Sequence, residues 1–550
     1  MQSSNMHILG ISAMSHDSAA ALLGESGIVA AIEEGKLART RTIGGIPRAA
    51  IQFCLERAGI TWRDLAKIAV ASQPSESASE SENIRILKEM AGVSPERVRV
   101  FDHHLCHAAS AFYASPYERA LIVTLDEGNN GRSGMVALGE GAGMTEIESI
   151  RFPHSLGWIY SQFTRLLGFR GHGDEHKTQW LSLAGEAEFA TTFVEMLRRS
   201  AGGSPCLNDK YFRHDSSGEL CFSDDFYRSI GSAPPGENNA AGILDDAKRA
   251  NIAASLQKAV GTVVCEWLTS LRLKTEENSL CLAGGLFLNP LLVFEIETHA
   301  GFENVFVQPA AGNEGTALGA AWLVSQKSSR QPQRAPVAAP FWGPSFSNAQ
   351  IKSVLDNCKA TYRLLDSDDL RLAETVKLLQ AGKIVAVFQR DAEFGPRALG
   401  DRSLLASPWA PYVKENLNDF VKHRESFRPF ALAIPEEDCA DFFHASPNAR
   451  FLTTMAKANE KGRALLQDLP EGFLLRDNLV RLQVVRERDN PFFWKLLKRS
   501  GESTPAPILV NTSFNLFGEP LVVTPRDAIR SYFCSGTDAL VAGNFLLVKR

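Results

Sequence analysis

The chain lacks the features that would assign it to an oxidising compartment, a membrane or a polyanion. Its nine cysteines stand singly at 54, 106, 206, 221, 265, 281, 358, 439 and 534, an odd number without a Cys-X-X-Cys pair. That excludes a disulfide scaffold and reads as reduced thiols in a cytosolic chain. No stretch is long and apolar enough to read as a spanning helix, and the segment from Met1 to Met14 has no basic residues ahead of an apolar run. The expectation is a cytoplasmic protein with no membrane partner. Positive charge is not in excess either, since 58 Lys and Arg against 63 Asp and Glu give a net charge of -5. A phosphate backbone finds no overall attraction in such a chain, so no nucleic-acid partner is expected, although a local basic pocket is compatible with it.

What is present is material for several cores. With 550 residues and roughly 150 residues per domain, two to four domains are expected. A hydrophobic share of 44% and a charged share of 22% are ordinary for globular proteins. Short apolar runs at His7 to Ile11, Ser18 to Leu23 and Gly27 to Ile32, separated by turn residues, predict three strands. Ile51, Cys54, Leu55 and Ala58 then share one face of a helix over 47–58, and Ile68 to Ala71 predicts another strand. This order gives a mixed α/β domain. The rhythm returns at Ala120 to Leu125, a Gly/Asn turn, and Gly134 to Leu138, which suggests an internal duplication. Residues 200–240 read as irregular, and 326–340 carry the Pro, Ser, Gln and Arg bias of a linker. We place domains at 1–325 and 341–550, the second with strands at Ile384 to Phe388 and Ile508 to Val510 and a helix at Asp527 to Cys534.

Several groupings carry chemistry. His103 and His107 fall four apart in a helical segment, so both imidazoles project from one face and can share a metal ion; the same spacing also suits solvated or hydrogen-bonded histidines. Asp126, at the end of a strand, can complete a two-His, one-carboxylate set, or simply form the turn. A second pair, His172 and His176, lies among glycines and reads as loop. The glycine turns at Leu282 to Asn289 and Ala311 to Ala320 lead into helices and allow backbone N–H groups to approach a nucleotide. Arginines gather near Gly and Pro at Arg397, Arg402, Arg424 and Arg428, a local clustering in an acidic chain that suits phosphate and carboxylate groups.

The motifs SHDSAAALL near 16, HHLCHAASAFYASP at 103–116, GDEHK at 173–177, LAGGLFLNP at 282–290, VQPAAGNEGTALGAA at 307–321, EFGPRALGDRS at 393–403, ESFRPFA at 425–431 and NTSFNLFGEPLVVTP at 511–525 occur in that order. Together they resemble the nodulation-protein-U and cephem O-carbamoyltransferase family over nearly the whole chain. The resemblance implies an N-terminal domain like Kae1, of the actin/Hsp70-like ATPase class, and a C-terminal α/β domain like YrdC. It implies an enzyme that makes carbamoyl adenylate from ATP and carbamoyl phosphate and passes the carbamoyl group to a hydroxyl of a small-molecule acceptor.

On that resemblance His103, His107, Asp126 and Asn313 would hold a divalent metal such as iron(II), and His16, with Asp17 beside it, would be the general base. Lys177, Gly284, Gly285 and Asn289 would contact the nucleotide. Arg397, Arg402, Arg424, Arg428, Asn511 and Ser513 would bind carbamoyl phosphate or ATP. Three departures stand out: Asn313 where the family has Asp, Arg390-Asp391 where it has Gly-Arg, and Asp401 where it has Asn. Two other readings share parts of the pattern: a regulatory protein that binds nucleotide without turnover, and a tRNA threonylcarbamoyl transferase, against which the missing basic stripe counts.

Overall fold

The computed structural model describes residues 7–549 apart from 14–15, 42, 73–84, 86, 88, 91, 93, 129–130, 171–172, 199–201, 216–218, 235–243, 329–335 and 470–471. Two compact units divide the chain, one of residues 1–72, 78–101 and 313–550, the other of 73–77 and 102–312.

The first unit opens with an antiparallel meander of β1 (His7–Ser12), β2 (Ala19–Gly24) and β3 (Gly27–Glu33). β4 (Leu65–Ser72) runs parallel to β1, and β5 (Val98–Asp102) completes the order β3-β2-β1-β4-β5. Alternation sorts the side chains: Leu9, Ile11, Ala20, Leu22, Ala30 and Ile32 form one core with Ile51, Cys54 and Leu55 of the helix Arg48–Ala58. The helix Gly315–Ser328 packs closely on β1, and a Cβ on Gly10 would stand 1.9 Å from the Ala317 carbonyl oxygen. Only glycine permits that approach.

In the second unit β6 (Arg119–Leu125), β7 (Arg132–Glu140) and β8 (Gly143–Arg151) form another meander. After a small hairpin of β9 (Phe212–His214) and β10 (Leu220–Phe222), β11 (Ser279–Ala283) pairs parallel with β6 and β12 (Asn304–Val307) with β11. The order β12-β11-β6-β7-β8 repeats the first sheet's topology, strand for strand. The sequence expectation of irregular chain over 200–240 needs correction: besides the hairpin, this stretch holds the helix Asp224–Ser229, capped by Ser223, and Phe212, Phe222 and Phe226 join an aromatic cluster there.

The rest of the first unit is built on eight strands. These are β13 (Arg363–Leu364), β14 (Val385–Phe388), β15 (Arg402–Ala406), β16 (Ala431–Pro435), β20 (Leu482–Val485), β21 (Leu509–Ser513), β22 (Ala539–Ala542) and β23 (Phe545–Val548), in the order β13-β23-β22-β14-β15-β21-β16-β20. A separate three-stranded sheet joins β17 (Phe443–His444), β18 (Ala456–Ala458) and β19 (Leu479–Val480). Both faces of the large sheet are covered: Ala386 and Phe388 enter one core, Val385 and Val387 the other. This is why β14 reads as an unbroken apolar run. Residues 33–57 are bonded to this part of the chain by Arg39 to Glu519 at 2.8 Å and Arg57 to Asp391 at 2.8 Å. No helix among the described residues is long and apolar enough to cross a membrane.

Candidate active site

The helix His103–Phe112 begins where Asp102 accepts a hydrogen bond from the Leu105 N–H at 2.9 Å. Its four-residue spacing directs His103 and His107 toward Asp126, at the end of β6. His103 Nε2 lies 2.9 Å from Asp126 Oδ2, His107 Nε2 3.2 Å from the same oxygen, and the two imidazole nitrogens 3.1 Å apart. Three acceptor-capable atoms thus face one point, and both histidines are at most 1% exposed. Burial and neighbouring His103 lower His107 to about 4. Burial alone would raise Asp126, but hydrogen bonds from His103 and His107 outweigh it and hold the carboxyl well below its usual range. Two imidazole nitrogens and a carboxylate oxygen, all within 4.8 Å of one another, form a donor set that fits a divalent cation. His104 is not part of it, because its ring nitrogens are taken by Thr124 Oγ1 at 2.8 Å and the Arg132 carbonyl at 3.0 Å.

Backbone approaches Asp126 through glycine. A Cβ on Gly285 would stand 2.9 Å from Asp126 Oδ1, and Gly284, at φ 103°, would strike the Leu125 carbonyl oxygen at 2.2 Å. Asn289 caps the helix Pro290–His299 by accepting from the Leu291 and Leu292 N–H groups, and donates to Gln257 at 2.8 Å. Its side chain is thereby used within the protein rather than presented to a nucleotide. Lys177 lies in the helix Glu175–Leu181, where the sequence read a loop, and pairs with Asp174 at 3.2 Å. His176 shares this helix and bonds the Gly173 carbonyl at 3.0 Å, while His172 falls outside the described residues.

In the first unit, His16 Nδ1 lies 2.9 Å from Asp17 Oδ2, with Asp17 in the left-handed region at φ 53°. The Asn313 side-chain nitrogen approaches the His16 ring at 3.1 Å from Nε2. The residue assigned from sequence to a metal therefore contacts the candidate base. Next to it, buried Glu314 is pushed up to about 8 by burial, with Asp17 and Glu33 adding to the effect.

The arginine cluster is more compact than the sequence showed. Arg397 is lowered to about 10 by burial and Arg428, and Arg424 to about 9 by burial and Arg428. Lys422 lies well below its usual value through burial and the charges of Arg424, Arg41 and Arg428; Arg481 does so through burial, Arg397, Arg424 and Arg428. Arg481 stands apart from the Gly/Pro-flanked arginine pattern, whereas Lys422 opens its second stretch, 422–430, and only its burial among the arginines singles it out. Arg424 lies over the Phe430 ring at 4.2 Å, and Lys422 donates to Asn515 Oδ1 at 2.7 Å and to the Ser513 carbonyl. Asn511 donates to Gln483 at 2.6 Å and Ala398 O at 3.2 Å, and its buried Oδ1 has no partner among the described residues.

Arg402 differs from the others. Fully buried, its guanidinium donates to the carbonyls of Gln389, Asp401, Pro344 and Arg390 and packs over Phe388 at 3.8 Å. This corrects its expected place among the phosphate ligands: the fork holds backbone. The departures at 390 and 401 meet in space, with Arg390 pairing with Asp401 at 3.0 Å, while Asp391 pairs with Arg57 at 2.8 Å. Burial nevertheless pushes Asp401 up to about 7, so the Arg390 charge offsets only part of the cost.

The geometry defines an α/β protein with a cation-type donor set in one unit and an anion-type cluster in the other. The carbamoyltransferase N-terminus family matches residues 7–94 and 86–322, and the carbamoyltransferase C-terminus family matches 376–549. The chain belongs to the carbamoyltransferase family and is an enzyme of that class. Among its relatives, nodulation protein NolNO of Sinorhizobium fredii is 31% identical over 97% of this chain and 79% of its own. Nodulation protein NolO of Bradyrhizobium diazoefficiens is 33% identical over 82% and 79%. The 3'-hydroxymethylcephem-O-carbamoyltransferase of Amycolatopsis lactamdurans is 29% identical over 44% of each chain. Among solved structures, full-length HypF in its phosphate- and nucleotide-bound form overlaps 60% of this chain and 56% of its own, at TM-score 0.33 and 14% identity. That likeness is too low to carry an argument, and the α/β assignment rests on the strand order itself.

Proposed function

We propose that the protein uses ATP and carbamoyl phosphate to form carbamoyl adenylate and then transfers the carbamoyl group to a hydroxyl of a small molecule. The observation that carries this reading is the cluster of Arg397, Lys422, Arg424, Arg428 and Arg481, in which burial, with the neighbouring positive charges, lowers Arg397, Lys422, Arg424 and Arg481. Cations packed so closely in low dielectric repel unless a multiply charged anion joins them, and guanidinium forks match phosphate oxygens. In this reading Arg397, Arg424 and Arg428 neutralise phosphate charge, while Asn511 Oδ1 accepts from the carbamoyl NH2. Lys422 holds Ser513 in place beside them. Arg402 and Asn289 are scaffold residues.

The part resembling YrdC performs activation, and the duplicated part resembling Kae1 performs transfer. Adenylation supplies a better leaving group, and exclusion of water protects the intermediate. His103, His107 and Asp126 would hold iron(II) or a similar ion, which supplies positive charge opposite the adenylate phosphate. His16, oriented by Asp17 through Nδ1, takes the proton of the acceptor hydroxyl at Nε2. The 3'-hydroxymethylcephem-O-carbamoyltransferase relative supports a small-molecule acceptor, and we place the reaction in the cytoplasm.

Two variants separate the half-reactions. Arg397→Ala is expected to abolish carbamoyl-phosphate-dependent pyrophosphate release, whereas His16→Ala keeps it and loses transfer. Normal turnover by both would overturn the assignment.

A further inference from the structure

Arg397 lies in a loop that is held from two directions. From within, Glu393 accepts through Oε1 from the N–H groups of Leu399 at 2.9 Å, Asp401 at 3.1 Å and Arg402 at 3.1 Å. From the other direction the grip comes from residues more than three hundred positions earlier. Lys36, in the short helix Glu34–Ala38 that follows β3, donates to the carbonyls of Glu393 and Gly395, each at 2.7 Å. Glu33 Oε1 accepts from the Gly395 N–H at 2.8 Å and lies 2.9 Å from Lys36 Nζ. An ammonium has three protons, and here each has a directed partner.

Both side chains are buried, Lys36 at 6% and Glu33 at 9% exposure. A buried ion pair is a weak way to gain stability, since an apolar pair of similar size often serves as well or better. What the charged pair provides instead is direction: the carbonyl and N–H of Gly395, at φ 105°, and the carbonyl of Glu393 are all fixed two to four residues before Arg397.

We propose that Lys36 and Glu33 are positioning residues for Arg397, setting the register of residues 393–402 so that the guanidinium meets carbamoyl phosphate. This rests on the reading of Arg397 as a carbamoyl-phosphate ligand.

The test uses the full chain and pyrophosphate release from ATP and carbamoyl phosphate, with three variants. Lys36→Met is expected to lower kcat/KM for carbamoyl phosphate about 100-fold, the loss typical of an ångström-scale misplacement. KM for ATP stays unchanged, and amides 393–402 exchange faster. Lys36→Arg recovers part of the loss. The double variant Glu33→Leu with Lys36→Met restores the melting temperature but not the activity, which separates positioning from simple support. Wild-type activity in the double variant, or parallel changes in KM for both substrates in Lys36→Met, would overturn the proposal. If the wild-type chain releases no carbamoyl-phosphate-dependent pyrophosphate, the reading of Arg397 falls and the proposal with it. If Arg397→Ala loses activity while Lys36→Met keeps it, the proposal alone falls.

Discussion

Replacing Glu393 by alanine removes one carboxylate oxygen from three backbone N–H groups, those of Leu399, Asp401 and Arg402. The carboxylate is fully buried. Each buried donor left without a partner costs about 1–3 kcal/mol. Three of them, with some relief from entering water, give about 3–6 kcal/mol. Glu393→Gln keeps an oxygen in place but exchanges charge-assisted bonds for neutral ones at about 1 kcal/mol each. Part of that is recovered because a carboxylate no longer has to be desolvated, so about 1–3 kcal/mol remains. Against a total stability of about 5–15 kcal/mol, the alanine change is a large fraction. A chain of two units need not unfold in one step, so the sharper assay is hydrogen exchange at the three amides, supported by urea unfolding. Protection at 399, 401 and 402 should vanish in Glu393→Ala and weaken in Glu393→Gln. Unchanged protection, with unfolding shifted by less than about 0.5 kcal/mol in the alanine variant, would refute the reasoning.

Gly10→Ala should destabilise the first sheet by about 3 kcal/mol, the upper end of overpacking, because the new methyl meets the Ala317 carbonyl oxygen; a melting temperature equal to wild type would contradict this. Asp126→Asn removes the anionic donor beside His103 and His107 and should weaken cobalt(II) binding by at least the 10–100-fold seen for supporting residues of metal sites. Titration followed by the visible spectrum measures it, and unchanged affinity would count against the donor set. Lys422 carries a proton less readily in the folded chain than unfolded, so between its depressed pKa and the ordinary lysine value stability rises with pH. An anion reverses the bias, so pyrophosphate binding in that window should take up a proton. Calorimetry in buffers of different ionisation enthalpy reads the uptake, and Lys422→Met should remove it in the part of the window that lies well below the lowered Arg424 value of about 9; identical heats in all buffers for the wild-type chain would refute the assignment.

Local pattern carried much of this structure. The strands expected at His7 to Ile11 and Ala120 to Leu125 form as His7–Ser12 and Arg119–Leu125, and the helix expected at 47–58 forms as Arg48–Ala58. Their alternation or helical spacing is complete within a few residues. His103, His107 and Asp126 were legible for the same reason, since a four-residue helical step and a strand-end carboxylate are short-range signals. What local pattern could not carry is contact over distance. Nothing near Lys36 in sequence announces Gly395, and an isolated Glu-Glu-Gly-Lys reads as a solvated helix end. Arg402 misled because a sequence shows that an arginine is present but not whether its fork meets a ligand or four carbonyls. Asn313 likewise met His16, a partner almost three hundred residues away. The stretch 200–240 is rich in turn residues, and the contact that joins its hairpin to its helix, the stacked Phe222 and Phe226 rings, is not marked by any local pattern.

The central claim is that the cationic cluster activates carbamoyl phosphate with ATP. Its most direct test is a mass-spectrometric assay of anaerobically iron-loaded protein with both substrates. The account predicts carbamoyl adenylate and pyrophosphate with the wild-type chain and neither with Arg397→Ala. Binding of carbamoyl phosphate without either product would contradict it.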